Sequence, residues 1–327
     1  MSLRAGPEIR SRCYSVAFGL VGVAFSSTIG LLLALIIYLG PVLWNYDRES
    51  PRKNSNLNVH IGGATSIPCS SHDDYWREVP LYSALHAGCI GVEADVWTFQ
   101  DELYVSHDRG GLSPNRTSSA LYIDPLFKIL QEKNPMDGAA PLARGIYDYD
   151  PSQTLVLLVD IKANPRIAWP LLLHQLQPLR NMGWLSHIKN GTLLLGPITV
   201  VGTGTTQVEQ VEANPARDVF LDAPLAKLES GAYSSANSYY ASVSFRRSIG
   251  LVSPGGLRQT QLLKVRDQIQ KAHSRGLKVR YWSLSAWPLS KQNRLWATLV
   301  SEGLDILHID DLLIARDVLD RKLKATA

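Results

Sequence analysis

Cysteine is scarce: Cys13, Cys69 and Cys89 are the only three in 327 residues. So few thiols make no disulfide framework, and no CxxC or Cys/His cluster offers the spacing of structural zinc. Cys13 borders an apolar segment, which leaves one pair in the rest of the chain. Two separate buried thiols are the expected state, with a Cys69–Cys89 bridge as the alternative. No early apolar run is followed by GxGxxG or a P-loop, so the usual cue for a doubly wound nucleotide-binding sheet is missing. Net charge is only +4, and no Lys/Arg run is dense enough to track a phosphate backbone. Nucleic-acid binding is set aside. No internal repeat is evident.

Charged side chains are missing altogether between Arg12 and Asp47. Within that stretch Val16–Leu39 forms about 24 apolar residues, or about 36 Å of helix against about 30 Å of hydrocarbon. Tyr14, Tyr38 and Trp44 flank it, where aromatic rings favour the interface. A cleaved signal peptide would have a shorter core ending in a small-residue site. A buried helix is rarely apolar on every face for so long. The expectation is a single-pass transmembrane helix over 16–43, after a tail at 1–15 and before a polar linker at 44–58. Basic residues tie across the span: Arg4, Arg10 and Arg12 precede it, and Arg48, Arg52 and Lys53 follow. The sequons Asn115-Arg116-Thr117 and Asn190-Gly191-Thr192 tip the folded part toward a lumenal or extracellular placement.

Over 59–320, short apolar, β-branched runs alternate with amphipathic stretches. Candidate strands are Ser66–Ser71, Ile90–Trp97, Thr154–Ile161, Ile198–Gly202, Asp218–Leu221, Tyr240–Phe245, Leu277–Trp282 and Asp305–Ile309. Candidate helices include Leu81–His86, Tyr122–Gln131, Ile167–Met182, Gln259–Ser274 and Lys291–Ser301. Runs such as LVLLV at 155–159 suit strands buried on both faces, as in parallel sheets. Eight such strands in about 260 residues match a (β/α)₈ TIM barrel in number and length. A doubly wound open sheet is the alternative within the α/β class.

Functional residues of such a barrel lie at the C-terminal ends of its strands. His72 ends the first candidate strand, and Glu93 and Asp95 lie late in the second. His107-Asp108 follows the short run ELYVS. Asp160 and Lys162 end the third strand, and Trp282 ends the seventh. Glu93 and Asp95 are two apart in a strand, so both point to one face. Inside a barrel two such carboxylates repel one another and are costly to leave ionised without a partner. A hard divalent cation with oxygen ligands removes the conflict. Asp160, on the neighbouring strand, is the natural third ligand, and Lys162 shares its face. An ammonium beside a metal suits a phosphate better than a neutral sugar.

These residues carry a resemblance. SSHDDYWREVPLYSALHAGCIGVEADVWTFQDELYVSHDRGGLSPNRT, continuing through SALYIDPL, resembles fungal phospholipase-C-like phosphodiesterases of the altered inheritance of mitochondria protein six group. RYWSLSAWP and GLDILHIDDL look like that family's closing strands, so the likeness covers about residues 66–315. More distantly, the pattern His, ExD, HD, DxK and late Trp is similar to glycerophosphodiester phosphodiesterases and the sphingomyelinase D type of phospholipase D. The resemblance implies a (β/α)₈ barrel binding one divalent cation, Mg2+ or Ca2+, through Glu93, Asp95 and Asp160. It implies His72 and His107 as the catalytic acid–base pair, with His72 as base or nucleophile. Lys162 becomes a phosphate contact and Trp282 a wall of the substrate pocket. Two departures stand out: Asp73-Asp74 replaces the Arg-Gly of glycerophosphodiesterases, and Asp73 stands where the fungal group has Asn.

The expected activity is therefore metal-dependent cleavage of a phosphodiester or phospholipid substrate, by hydrolysis or transphosphorylation. A glycoside hydrolase using Glu93 and Asp95 is a poor rival, because its two carboxylates must flank the scissile bond rather than sit side by side. A non-catalytic, membrane-tethered lipid-binding or scaffold barrel is the rival from another class.

Overall fold

Alternation along each strand decides this architecture. A computed structural model describes residues 30–35, 37, 63–135, 143–284 and 287–326. The chain divides into two units, 1–55 and 56–327, and every strand among the described residues lies in the second. These are β1 (Ile67–Ser71), β2 (Cys89–Phe99), β3 (Glu102–Val105), β4 (Leu155–Ile161), β5 (His187–Lys189), β6 (Thr192–Leu194), β7 (Ile198–Gly204), β8 (Val219–Pro224), β9 (Ser238–Ser244), β10 (Lys278–Trp282) and β11 (Ile306–Ile309). Eight of them pair in parallel in the order β1-β2-β4-β7-β8-β9-β10-β11, and β11 pairs back to β1. The sheet is thus closed, an eight-stranded parallel barrel with intervening helices, as the strand count predicts. All eight candidate strands are present, and closure rather than an open sheet is the outcome.

Residues on the outer face of each strand, such as Leu155, Leu157, Val159 and Ile161 of β4, join the main core beneath the helices. Their alternates Val156 and Leu158 join Val201, Phe220, Tyr240 and Ile306 in a second cluster that fills the barrel. One strand period further along, the inward positions turn polar. Glu93, Arg280 and His308 are buried there, together with Asp95. The lumen is therefore apolar below and charged at the C-terminal mouth.

Outside the barrel, β3 pairs antiparallel to β2 and extends it as a hairpin. The pair β5–β6 was not among the candidate strands. Its turn is Asn190-Gly191, with φ of 52° and 76°, the positive-φ pair that a tight two-residue hairpin demands. The candidate helix Ile167–Met182 is broken at Leu176 into Pro165–Gln175 and Gln177–Asn181. Pro178 has no N–H to donate back, and its ring crowds the preceding turn.

Two expectations are corrected. Among the described residues no helix is long and apolar enough to cross a membrane. Most of the expected span over 16–43 lies outside the described residues; the described part, 30–35 and 37, is helical with exposed leucines. The single-pass, lumenal-side assignment is therefore withdrawn. An apolar run states a solvent preference, which does not by itself require a membrane-spanning helix. The second correction concerns the thiols: Cys69 and Cys89 form a disulfide, with Cα atoms 4.7 Å apart. Ile67 pairs with Cys89 across β1 and β2, and both cysteines lie on the outward faces, so the parallel pairing of β1 with β2 brings them together.

Candidate active site

The mouth is organised around His72, which follows β1. Its backbone N–H donates to Ile309 O at 2.9 Å, continuing the ladder to β11. Its Nδ1 lies 2.6 Å from Asp310 Oδ1, and its ring meets that of His308 at 4.6 Å between centroids. The other ring nitrogen, Nε2, faces Glu93 and Asp73, each at 3.7 Å. Burial alone would lower the His72 pKa; the Asp310 hydrogen bond and the charges of Glu93, Asp310 and Asp73 outweigh it and raise the pKa to about 9.

Glu93, Asp95 and Asp160 come together as their inward alternation requires. Asp95 pairs with Asp160 across β2 and β4, and the three carboxylates each offer an oxygen within 4.8 Å of the others. Burial, and then the charge of Glu93, raise the Asp95 pKa to about 7. Burial likewise raises Asp160. Burial would raise Glu93 too, but His308, Arg280 and His72 hold its carboxyl well below the usual range. Among the described residues, Asp160 Oδ1 is buried without a hydrogen-bond partner. A Cβ at Gly204, where φ is +69°, would stand 2.1 Å from Asp160 Oδ1, so only glycine leaves that oxygen its space. Three converging hard oxygens, crowded together in a buried mouth, fit a divalent cation.

Lys162 lies beside them, its Nζ 2.6 Å from Asp160 Oδ2 and 3.4 Å from Asp95 Oδ2. Burial would lower the lysine; the Asp160 hydrogen bond and charge raise it instead. His107 stands on the loop after β3, outside the barrel ring, with Nδ1 3.8 Å from Asp73 Oδ1 and 3.7 Å from Asp95 Oδ2. His72 and His107 thus face the same Asp73 oxygen from two sides. Asp73 adopts φ 45°, and Tyr75 Oη lies 2.6 Å from its Oδ1 and 2.9 Å from Asp95 Oδ2, its single proton shared between the two carboxyls. Burial, with Asp73 next, keeps that phenol firmly protonated. Trp282 ends β10, 37% exposed, on the rim beside His72.

The adjoining Asp74 points away from the mouth. Fully buried, it accepts from the Leu81 N–H at 2.6 Å and from Tyr122 Oη at 3.2 Å. It fixes the loop that carries His72.

Asp310, His308, Arg280, Asp222 and Tyr75 were not candidates from sequence. Arg280, only 4% exposed, donates to Asp222 Oδ2 at 2.8 Å and lies 4.0 Å from Glu93 Oε1. Asp222 also accepts from Ser242 at 2.7 Å and Thr203 at 3.1 Å. His308 Nε2 is 3.2 Å from Glu93 Oε2, and burial lowers its pKa. The signal was present. Arg280 and Trp282 are two apart, as are His308 and Asp310, so the same alternation that joined Glu93 to Asp95 puts each pair on one face.

The fold and this mouth define a class: a (β/α)₈ barrel with a histidine- and carboxylate-lined site at its strand ends. Residues 60–222 match the AIM6-like phosphodiesterase domain. The chain is 40% identical over 287 residues to the altered inheritance of mitochondria protein 6 homolog of Arthroderma benhamiae, covering 84% of this chain and 90% of that protein. It is 36% identical to altered inheritance of mitochondria protein 6 of Eremothecium gossypii, covering 74% and 67%, and 30% identical to that of Saccharomyces cerevisiae, covering 77% and 71%. The chain belongs to this family.

Proposed function

We propose that the chain is a phosphodiesterase dependent on Mg2+ or Ca2+, acting on a lipid or glycerol phosphodiester. The observation that carries it is the meeting of Glu93, Asp95 and Asp160 beside two histidines that face one Asp73 oxygen. Attack at phosphorus needs a deprotonated nucleophile and a protonated leaving oxygen. In this reading one of His72 and His107 takes the proton of the attacking water or neighbouring substrate hydroxyl, and the other donates to the leaving oxygen. Asp310 holds the His72 ring in place. Lys162 turns its ammonium to the equatorial phosphate oxygens, where charge develops. Glu93, Asp95 and Asp160 would hold the cation, which supplies Lewis-acid neutralisation of the phosphate.

The test offers the full chain lysophospholipid, glycerophosphodiester and phosphoinositide substrates, with added Mg2+ or Ca2+ and with chelator. Turnover that requires metal and falls roughly 10²-fold or more in both H72A and H107A is expected. Equal turnover in the variants would remove the acid–base assignment. No turnover of any substrate would leave a non-catalytic barrel.

A further inference from the structure

Charge is spread unevenly along the chain. Between Glu229 and Glu302 lie 72 residues with eleven Lys and Arg and a single acid, Asp267, whereas the whole chain nets only +4. That stretch supplies β9, β10 and the two helices after them, Gln259–His273 and Leu289–Ser301. Toward the base of the barrel its cations find local partners: Arg266 pairs with Glu302, and Lys271 with Glu229 and Asp267 at 3.0 Å. At the mouth they do not. Arg246, Arg247 and Arg258 lie on the connection that follows β9, and Lys291 and Arg294 on the first two turns of the helix that follows β10. Among the described residues none of these five forms an ion pair. β9 and β10 are neighbours, and Arg294 Nη2 donates to Pro254 O at 2.9 Å, so the two connections adjoin. The acids at the flanking strand ends are already occupied, Asp222 by Arg280 at 2.8 Å and Asp310 by His72 at 2.6 Å. Like charges gathered without an internal counter-charge repel one another and draw an external anion.

The same connections expose apolar side chains. Leu251 is 74% and Trp287 56% exposed, and Trp282 stands on the rim beside His72. A single exposed apolar residue is ordinary; here they share one edge of the mouth with the unpaired cations. A lipid head-group layer meets both needs, because its anionic groups draw Arg and Lys while its interface takes Trp and Leu. A nucleic-acid duplex meets only the first, since its phosphates offer Leu251 no apolar phase.

We infer that the edge of the mouth formed after β9 and β10 docks peripherally on an anionic lipid surface. The inference goes beyond the phosphodiesterase reading and needs no turnover. It concerns the barrel alone, and no segment crosses the bilayer in it. Docked this way, the mouth at His72 faces the head groups.

The test mixes the full chain with phosphatidylcholine vesicles prepared with and without phosphatidylserine, and reads partitioning by co-sedimentation. Partitioning onto the anionic vesicles is expected to exceed that onto the neutral ones by roughly 10²-fold and to fall steeply as salt shortens the screening length. R246Q/R247Q lowers it by roughly 10-fold or more, at about 5-fold per charge removed. The apolar run at 16–39 is untouched in that variant, so the loss reads the mouth edge alone. L251S weakens vesicle binding but leaves binding to heparin, a polyanion with no apolar phase, unchanged. Thermal melting checks that each variant is folded. Equal partitioning onto both vesicles, or an anionic-to-neutral ratio unmoved in folded R246Q/R247Q, overturns the docking surface. Heparin binding without vesicle binding, or vesicle binding unchanged in L251S, overturns lipid as its occupant. Turnover of a soluble glycerophosphodiester stands or falls separately from each of these results.

Discussion

His72 and Asp310 lie 238 positions apart in the chain and 2.6 Å apart in the barrel. The contact exists because β1 and β11 are the strands that close the ring, with Ser71 opposite Ile309. It makes Asp310 a positioning residue for a candidate catalytic histidine.

D310N should therefore lower kcat by roughly 10-fold while leaving KM less affected, since orientation is lost and contact with substrate is not. The histidine's proton affinity should fall as well. His72 titrates at about 9 in the fold against about 6.5 in an unfolded chain. The raised value favours the protonated form, so its contribution to stability is complete below about pH 6.5 and is lost as pH rises through about 9. Removing the Asp310 charge should move the His72 limb of the pH–rate profile to lower pH. An unmoved limb would contradict the pairing.

The carboxylate cluster makes a prediction that needs no turnover. Mg2+ or Ca2+ should raise the melting temperature of the wild-type chain, because a ligand at 100 times its Kd adds about 2.7 kcal/mol. D160N should lose most of that shift. Identical melting in metal and in chelator would exclude a cation at Glu93, Asp95 and Asp160.

The Cys69–Cys89 bridge spans 20 positions, and closing a loop of that length stabilises by about 3 kcal/mol in the chain-entropy model. C69S/C89S should lower the denaturation midpoint correspondingly, and reductant should destabilise the wild type but not the variant. Two free thiols by mass spectrometry of the unreduced protein would rule the bridge out.

Asp74 has a pH signature of its own. Burial raises its pKa, despite help from Leu81, Ser71, Arg77 and Tyr122. The fold then keeps the proton to higher pH than the unfolded chain does. Its contribution is complete below about pH 3.9 and is lost as pH rises through the folded value. D74N abolishes that titration. The stability of wild type relative to D74N should decline as pH rises above about 4 in denaturant melts. A flat difference would count against a raised Asp74.

Glu93, Asp95, Asp160 and Lys162 were legible because alternation within a strand is local, and two residues apart means one face. The eight strands were legible for the same reason. The Cys69–Cys89 bridge, the Asp310 contact and the Arg280–Asp222 pair were not, because each depends on which strands are neighbours. The Asn190-Gly191 hairpin was missed although its turn residues were in plain view.

Sequence alone determined which side chains enter the barrel, since the pleat sends every second residue inward wherever the chain runs as a strand. Closure of the ring decided which of them meet. Joining β11 to β1 put His72 between Asp310 and Glu93, and setting β9 beside β10 gathered Arg246, Arg247, Lys291 and Arg294 at one edge of the mouth. Period is a property of the local backbone, whereas adjacency comes from burying one face of every element at once.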